Sequence, residues 1–142
     1  MDSTQRGYDI SLYKIIEKNT FAYNPARINV GSLGYSGKLN DIIISSLYIC
    51  FKTTETVNDN FLLQYFYTPE FNFMVNNYTE GGVRQYLFYE NFSIISLNLP
   101  SKPEQTKIAN FLSGIDDKID VETTLLQQLK LQKQYFLSQM FT

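Results

Sequence analysis

SKPEQTKIANFLSGIDDKIDVETTLLQQLKLQKQYFLSQM, residues 101–140, is the stretch on which the fold turns. Ser101 and Glu104 stand three residues apart. That is the spacing of a capping box, in which the N-cap hydroxyl and the N3 carboxylate satisfy each other's backbone N–H groups. Pro103 is tolerated in the first turn, where its missing N–H would have no helical partner. Alternating four- and three-residue steps then mark Ile108, Leu112, Ile115, Ile119, Glu122, Leu126, Leu129, Lys133, Phe136 and Met140. Apolar side chains fill all of these positions but Glu122 and Lys133. A stripe this regular predicts one long helix that needs a partner helix along one face. Gly114 costs about 1 kcal/mol relative to alanine, and it is expected to mark where the helix leaves the globular part.

The two polar residues of the stripe select a geometry. If two copies pair antiparallel about a centre between Gln127 and Gln128, Glu122 faces Lys133 of the other chain. The same register sets Leu126 against Leu129, Ile119 against Phe136 and Ile115 against Met140. A slip of one heptad puts both charges opposite apolar residues, which costs desolvation without a partner. The sequence therefore predicts an antiparallel homodimer, or an antiparallel pairing with a similar helix. The other reading is a helix packed on its own domain with Glu122 and Lys133 solvated at its rim.

Upstream of Pro100 the character changes. Eighteen of the 22 Tyr and Phe residues and six of the seven glycines lie there. Ile42-Ile43-Ile44, Leu47 to Phe51 and the run from Val83 to Leu99 read as strand, being β-branched and aromatic. Asp59 is expected to cap a helix through Phe61, Leu62, Tyr65 and Phe66, with Pro69 interrupting it before a second short helix. Gly31, Gly34, Gly37 and Gly81-Gly82 read as turns. The fold class is α+β: a compact mixed domain over residues 1–100, then a helical region over 101–142 forming an antiparallel coiled coil.

Composition narrows the function. The chain has 142 residues, no histidine and one cysteine, Cys50. This excludes an intramolecular disulfide, a Ser-His or Cys-His catalytic group and the usual zinc ligand sets. No apolar run reaches the ~20 residues of a membrane span, and MDSTQRGYDI lacks a signal peptide's apolar stretch. A cytoplasmic protein that is not itself an enzyme is expected. Glu104, Asp116, Asp117 and Asp120 resemble a metal cluster only loosely, since solvated helix charge explains them as well.

Leu99-Pro100-Ser101-Lys102-Pro103-Glu104-Gln105-Thr106-Lys107-Ile108-Ala109-Asn110-Phe111-Leu112 resembles the conserved helical region of type I restriction-modification specificity subunits, l-P-x-x-x-E-Q-x-x-I-a-x-f-L. Asp116, Lys118, Ile119, Leu129-Lys130, Lys133 and Met140-Phe141 continue the likeness. Tyr13-Lys14, the run from Phe21 to Ser32, Ser45 to Phe51 and Gly81-Gly82-Val83-Arg84 resemble the second half of a target recognition domain. The resemblance implies a non-catalytic component that reads double-stranded DNA and directs methyltransferase subunits, with a nuclease-translocase subunit, to a split site. S-adenosylmethionine, ATP and Mg are then expected only on those partners, and no cofactor on this chain. A full specificity subunit is about three times as long, so a half-length or truncated form is expected, with a recognition domain that begins midway. Two copies would rebuild a symmetric reader. A coil running from Ile115 to Met140 spans about 37 Å at ~1.5 Å per residue, close to the ~34–36 Å of one DNA turn. The alternative is an interaction module that binds methyltransferase or specificity subunits through its helix and reads nothing.

Asn24, Arg27 and Asn29, beside a turn, suit adenine and guanine edges. Tyr35, Ser36 and Lys38 in the glycine-punctuated loop suit the DNA backbone, and Arg84 with Gln85 form a second pair. Equally open are ordinary turn chemistry at Asn24-Pro25 and Gly31, and an Arg27 paired with a carboxylate. Residues 1–100 carry seven Lys and Arg against nine Asp and Glu. That balance predicts weak DNA binding without partners, because phosphate neutralisation supplies much of the affinity.

Overall fold

The structure, a computed structural model, describes residues 12–82 and 85–141. Five short strands, three short helices and one long helix follow in order: β1 Tyr13–Ile16, β2 Phe21–Tyr23, β3 Leu33–Tyr35, β4 Ile42–Ser45, β5 Ile49–Phe51, α1 Asp59–Tyr65, α2 Pro69–Tyr78, α3 Tyr89–Ser93 and α4 Lys102–Met140. A 3-10 turn, Ile28–Val30, sits between β2 and β3. The strands form two small antiparallel sheets, β1 with β4 and β3-β2-β5. The architecture is α+β, as the sequence predicts.

Aromatic side chains build the core. In the three-stranded sheet Phe21 lies directly opposite Tyr35 on one side and Phe51 on the other. The three rings stack, with centroids 4.5 and 5.2 Å apart. Such cross-strand pairs stabilise a sheet too small to stand alone. Tyr23, Ile28, Tyr65, Phe71, Val75 and Leu87 are buried behind that sheet, with Phe51, Phe66 and Phe92 packed around them. The Tyr and Phe excess upstream of Pro100 thus supplies the core, while Tyr13, Tyr67, Phe73, Phe88 and Tyr89 remain exposed.

The helix pair predicted across Pro69 is present. Asn58, one residue before the expected Asp59, is the N-cap of α1: its Oδ1 accepts from the Phe61 N–H at 3.1 Å. Asp59 instead accepts hydrogen bonds from the Tyr35 hydroxyl, at 2.6 Å, and from the Thr53 hydroxyl. Thr68 caps α2, with Pro69 in its first turn.

The strand expected over Val83 to Leu99 is not found among the described residues of that run. Among the described residues Tyr86 makes one isolated bridge to Glu80, and Tyr89–Ser93 is helical. The apolar residues of that run follow no strand period. Phe92 turns inward to stack on Tyr23 at 4.8 Å, and Ile95 and Leu97 pack on the core from irregular backbone. A short apolar run carries too little periodicity to separate strand from buried coil. The strand read over Leu47 to Phe51 is likewise shorter, because a turn from Ser45 to Tyr48 carries the chain from one sheet to the other.

Helix α4 begins as its capping box predicts. Glu104 Oε2 accepts from the Ser101 N–H at 3.0 Å and from the Ser101 hydroxyl at 2.6 Å. These bonds hold the Glu104 carboxyl below its ordinary range. The next residue, Gln105, joins the helix to the domain. Its side chain is almost wholly buried, at 1% exposure. Its Oε1 accepts from the Asn58 N–H at 2.8 Å, while Nε2 donates to the Pro100 carbonyl at 2.9 Å and to the Thr56 carbonyl at 3.2 Å. One turn on, Ala109 is buried against the domain, where a larger side chain would hold the two apart. Gln64 near the end of α1 donates to Asp116 at 2.8 Å, so α1 and α4 run in the same direction. From Gly114 onward every described side chain of α4 is exposed. Gly114 therefore lies near the exit, between the buried Ala109 and the Asp116 bond to Gln64, without breaking the helix.

Gln105→Ala is expected to lower stability by about 2–4 kcal/mol, since it strands buried backbone groups. Denaturant unfolding monitored by the near-ultraviolet signal of the tyrosines measures this, and a loss no larger than at Gln127 would refute it. Burial, and next the Asp59 carboxylate, push the Tyr35 phenol up to about 12. The fold favours the neutral phenol, so this contribution is complete below the unfolded value near 10 and is lost as pH rises towards 12. Burial pushes the Tyr23 and Tyr65 phenols up as well, so tyrosinate absorbance should show several late-titrating phenols, one fewer in Tyr35→Phe.

Candidate nucleic-acid interface

The loop that follows β2 is built around Asn24. Its Oδ1 accepts from the Ala26 N–H and its carbonyl from the Arg27 N–H, both at 3.0 Å. This is the turn chemistry that Asn before Pro favours. Bonds from the Asn24 N–H to the Ser32 carbonyl and from the Ser32 N–H to the Arg27 carbonyl close the neck of the loop. Ile28 plunges into the core at 3% exposure, which turns its neighbours Arg27 and Asn29 towards solvent. Gly31, at φ +86°, ends the 3-10 turn in the left-handed region that favours glycine.

A second arm faces this loop. Glu80 and Tyr86 exchange two 2.8 Å backbone bonds around Gly81-Gly82, and Gln85 is exposed at the arm's end. Two bonds tie the arms together. The Leu87 N–H donates to the Pro25 carbonyl at 3.0 Å, and the buried Tyr23 hydroxyl donates to the Leu87 carbonyl at 3.2 Å. Burial pushes the Tyr23 phenol upward, which keeps that donor protonated. Between the arms lies an open cleft of about 950 Å3, lined by Ala26, Arg27, Asn29, Val30, Gly82, Gln85 and Tyr86.

Three of the residues named from sequence, Arg27, Asn29 and Gln85, therefore meet at one cleft, although 58 positions separate Arg27 from Gln85. Arg84 lies outside the described residues. Among the described residues Arg27 forms no ion pair; the salt bridge present joins Lys52 to Glu17 at 2.6 Å. A guanidinium and two carboxamides are the donors and acceptors that read base edges. Asn24 flanks the cleft with its carbonyl oxygen spent on its own turn.

The other group does not join them. β2 and β3 are antiparallel, with Tyr23 opposite Leu33 and Phe21 opposite Tyr35. The Arg27 loop and the Ser36–Lys38 turn thus lie at opposite ends of the hairpin, about 10 Å apart along the strands. The Tyr35 hydroxyl donates to Asp59, and the Asn19 side-chain oxygen lies 3.1 Å from it. Ser36 is buried, donating to the Glu17 carbonyl at 2.8 Å and accepting from the Thr20 N–H at 2.9 Å. Lys38 is exposed in the turn beyond. Sequence reasoning passed over Val30 and Tyr86, whose only signal was adjacency to Asn29 and Gln85.

The helix residues named from sequence, Ile115, Ile119, Glu122, Leu126, Leu129, Lys133, Phe136 and Met140, are all exposed on the free part of α4. Ile115, Ile119 and Leu126 line an apolar groove of about 460 Å3 with Gly114 at one end. Packing on the chain's own domain thus accounts for the first turns of α4 and not for this seam.

The chain is 28% identical over 130 residues to the specificity subunit of the type I restriction enzyme HindI of Haemophilus influenzae, covering 82% of this chain. It spans 26% of the length of that relative. A family model described as type I restriction modification DNA specificity domain matches residues 9–131. With residues 9–131 matched, the protein belongs to the type I restriction modification DNA specificity domain family.

Proposed function

We propose that this chain reads DNA sequence at the cleft between the Arg27 loop and the Gln85 arm, within a type I restriction-modification assembly. The observation that carries the reading is the convergence of Arg27, Asn29 and Gln85 on one cleft. Arg27 suits guanine O6 and N7, and the two carboxamides suit adenine N6 and N7. Specificity is a non-catalytic role: covalent chemistry belongs to methyltransferase and nuclease subunits, which carry S-adenosylmethionine, ATP and Mg. The free seam of α4 pairs antiparallel with a second copy or with a similar helix. Two recognition units then face the halves of a split site, about one DNA turn apart. The net charge of residues 1–100 keeps binding weak until methyltransferase subunits enclose the duplex.

The test is reconstitution with a type I methyltransferase subunit and selection from a pool of randomised duplexes. Enrichment of a defined split sequence supports the reading; complex formation without enrichment would leave an interaction module in its place. Arg27→Ala is expected to relax preference at one base pair by about 1–3 kcal/mol, whereas equal weakening on all sequences would assign it to phosphate. Lys133→Glu should weaken self-association, since it sets like charges opposite each other, and Glu122→Lys added to it should restore association. Sedimentation velocity distinguishes these states, and a monomer at every concentration for all three proteins would sink the pairing.

A further inference from the structure

We infer that the solvent face of α2 is a second base-reading surface, continuous with the cleft and carried by Asn72 and Asn76. This rests on the DNA-reading function proposed above. Phe71 and Val75, one turn apart, are buried and hold α2 on the core. That packing turns Asn72 and Asn76, also one turn apart, to solvent. Among the described residues neither carboxamide makes a hydrogen bond within the chain, so both retain their full set of donors and acceptors.

A groove of about 250 Å3 brings Asn72 and Tyr67 together with Asn29 and Val30. Asn29 and Val30 also line the main cleft, so the two concavities share one wall. Val30 and Tyr67 are 76% and 72% exposed, so both side chains are open to a ligand at this groove. Each component has a partner in a DNA major groove: carboxamides for adenine N6 and N7, and the Val30 methyls for the thymine methyl group. The diameter of an α-helix with its side chains, about 10–12 Å, matches a major groove about 12 Å wide, and α2 with its ten residues presents about 15 Å along it. The only charge on α2 is Glu70, in its first turn. A face without cations suits base edges rather than phosphates.

The experiment is the same duplex selection, run with the chain bound to a type I methyltransferase subunit, on the unsubstituted chain and on Asn72→Ala, Asn76→Ala and Arg27→Ala. Alanine at these exposed helical sites favours the helix, so folding is retained. Asn72→Ala or Asn76→Ala is expected to cut discrimination roughly tenfold at one base pair, distinct from the position that Arg27→Ala relaxes. If Arg27→Ala alters preference while both asparagine variants match the unsubstituted chain, the second surface is refuted and the cleft stands. A uniform loss of affinity in the asparagine variants also refutes base reading by α2. Absence of any enriched sequence with the unsubstituted chain overturns the DNA-reading function and this surface with it.

Discussion

The side chain of Gln105 holds the molecule together as one object. A buried carboxamide that accepts from Asn58 and donates to Thr56 and Pro100 leaves little freedom for the helix that carries it. Burying such a group is unfavourable unless its bonds are made, and here both ends are engaged. The bonded groups belong to the N-cap of α1 and to the segments entering α1 and α4. The long helix is therefore fixed to the very residue that starts the domain's first helix. Together with the bonds from Asn58 to Thr106 and from Gln64 to Asp116, this joint sets the direction in which α4 leaves the domain.

The rest of the domain follows from an aromatic core that lies close to the strands' own ends. Phe21, Tyr35 and Phe51 stack across three strands of three residues each. Tyr23, immediately beyond Ala22, carries the same strand into the cleft by bonding the Leu87 carbonyl. The core and the candidate site are thus one continuous piece. A phenol that packs against Phe92 also fixes the distance between the Arg27 loop and the Gln85 arm. This explains why tyrosine rather than phenylalanine serves at that position: ring burial and a hydroxyl bond are both used.

How much was legible in the sequence differs by element. The capping box, the exit near Gly114 and the paired helices around Pro69 were readable because each depends on neighbours within one or two turns. The run from Val83 to Leu99 was not, because its aromatic and β-branched residues match a strand in type while Phe92 is held by ring contacts with Tyr23 and Phe51, far away in the chain. Asn24 and Ser36 show a similar limit. Their polar atoms look available in the sequence, and only the folded chain reveals that they are spent on an Asn turn and on the Glu17 and Thr20 backbone.

The sequence by itself determined the long helix, its cap, its apolar seam with Glu122 and Lys133, and the candidate polar residues at Arg27, Asn29 and Gln85. Periodicity and capping are local, so a linear reading captures them. Only the tertiary structure decided that Arg27, Asn29 and Gln85 share a cleft, that Tyr35, Ser36 and Lys38 stand at the other end of the hairpin, and that Asn72 of α2 lines a groove with Asn29. Those facts depend on which distant backbone groups bond, above all Leu87 to Pro25, and on which faces the aromatic core consumes. A face becomes available for recognition only once packing has taken the others.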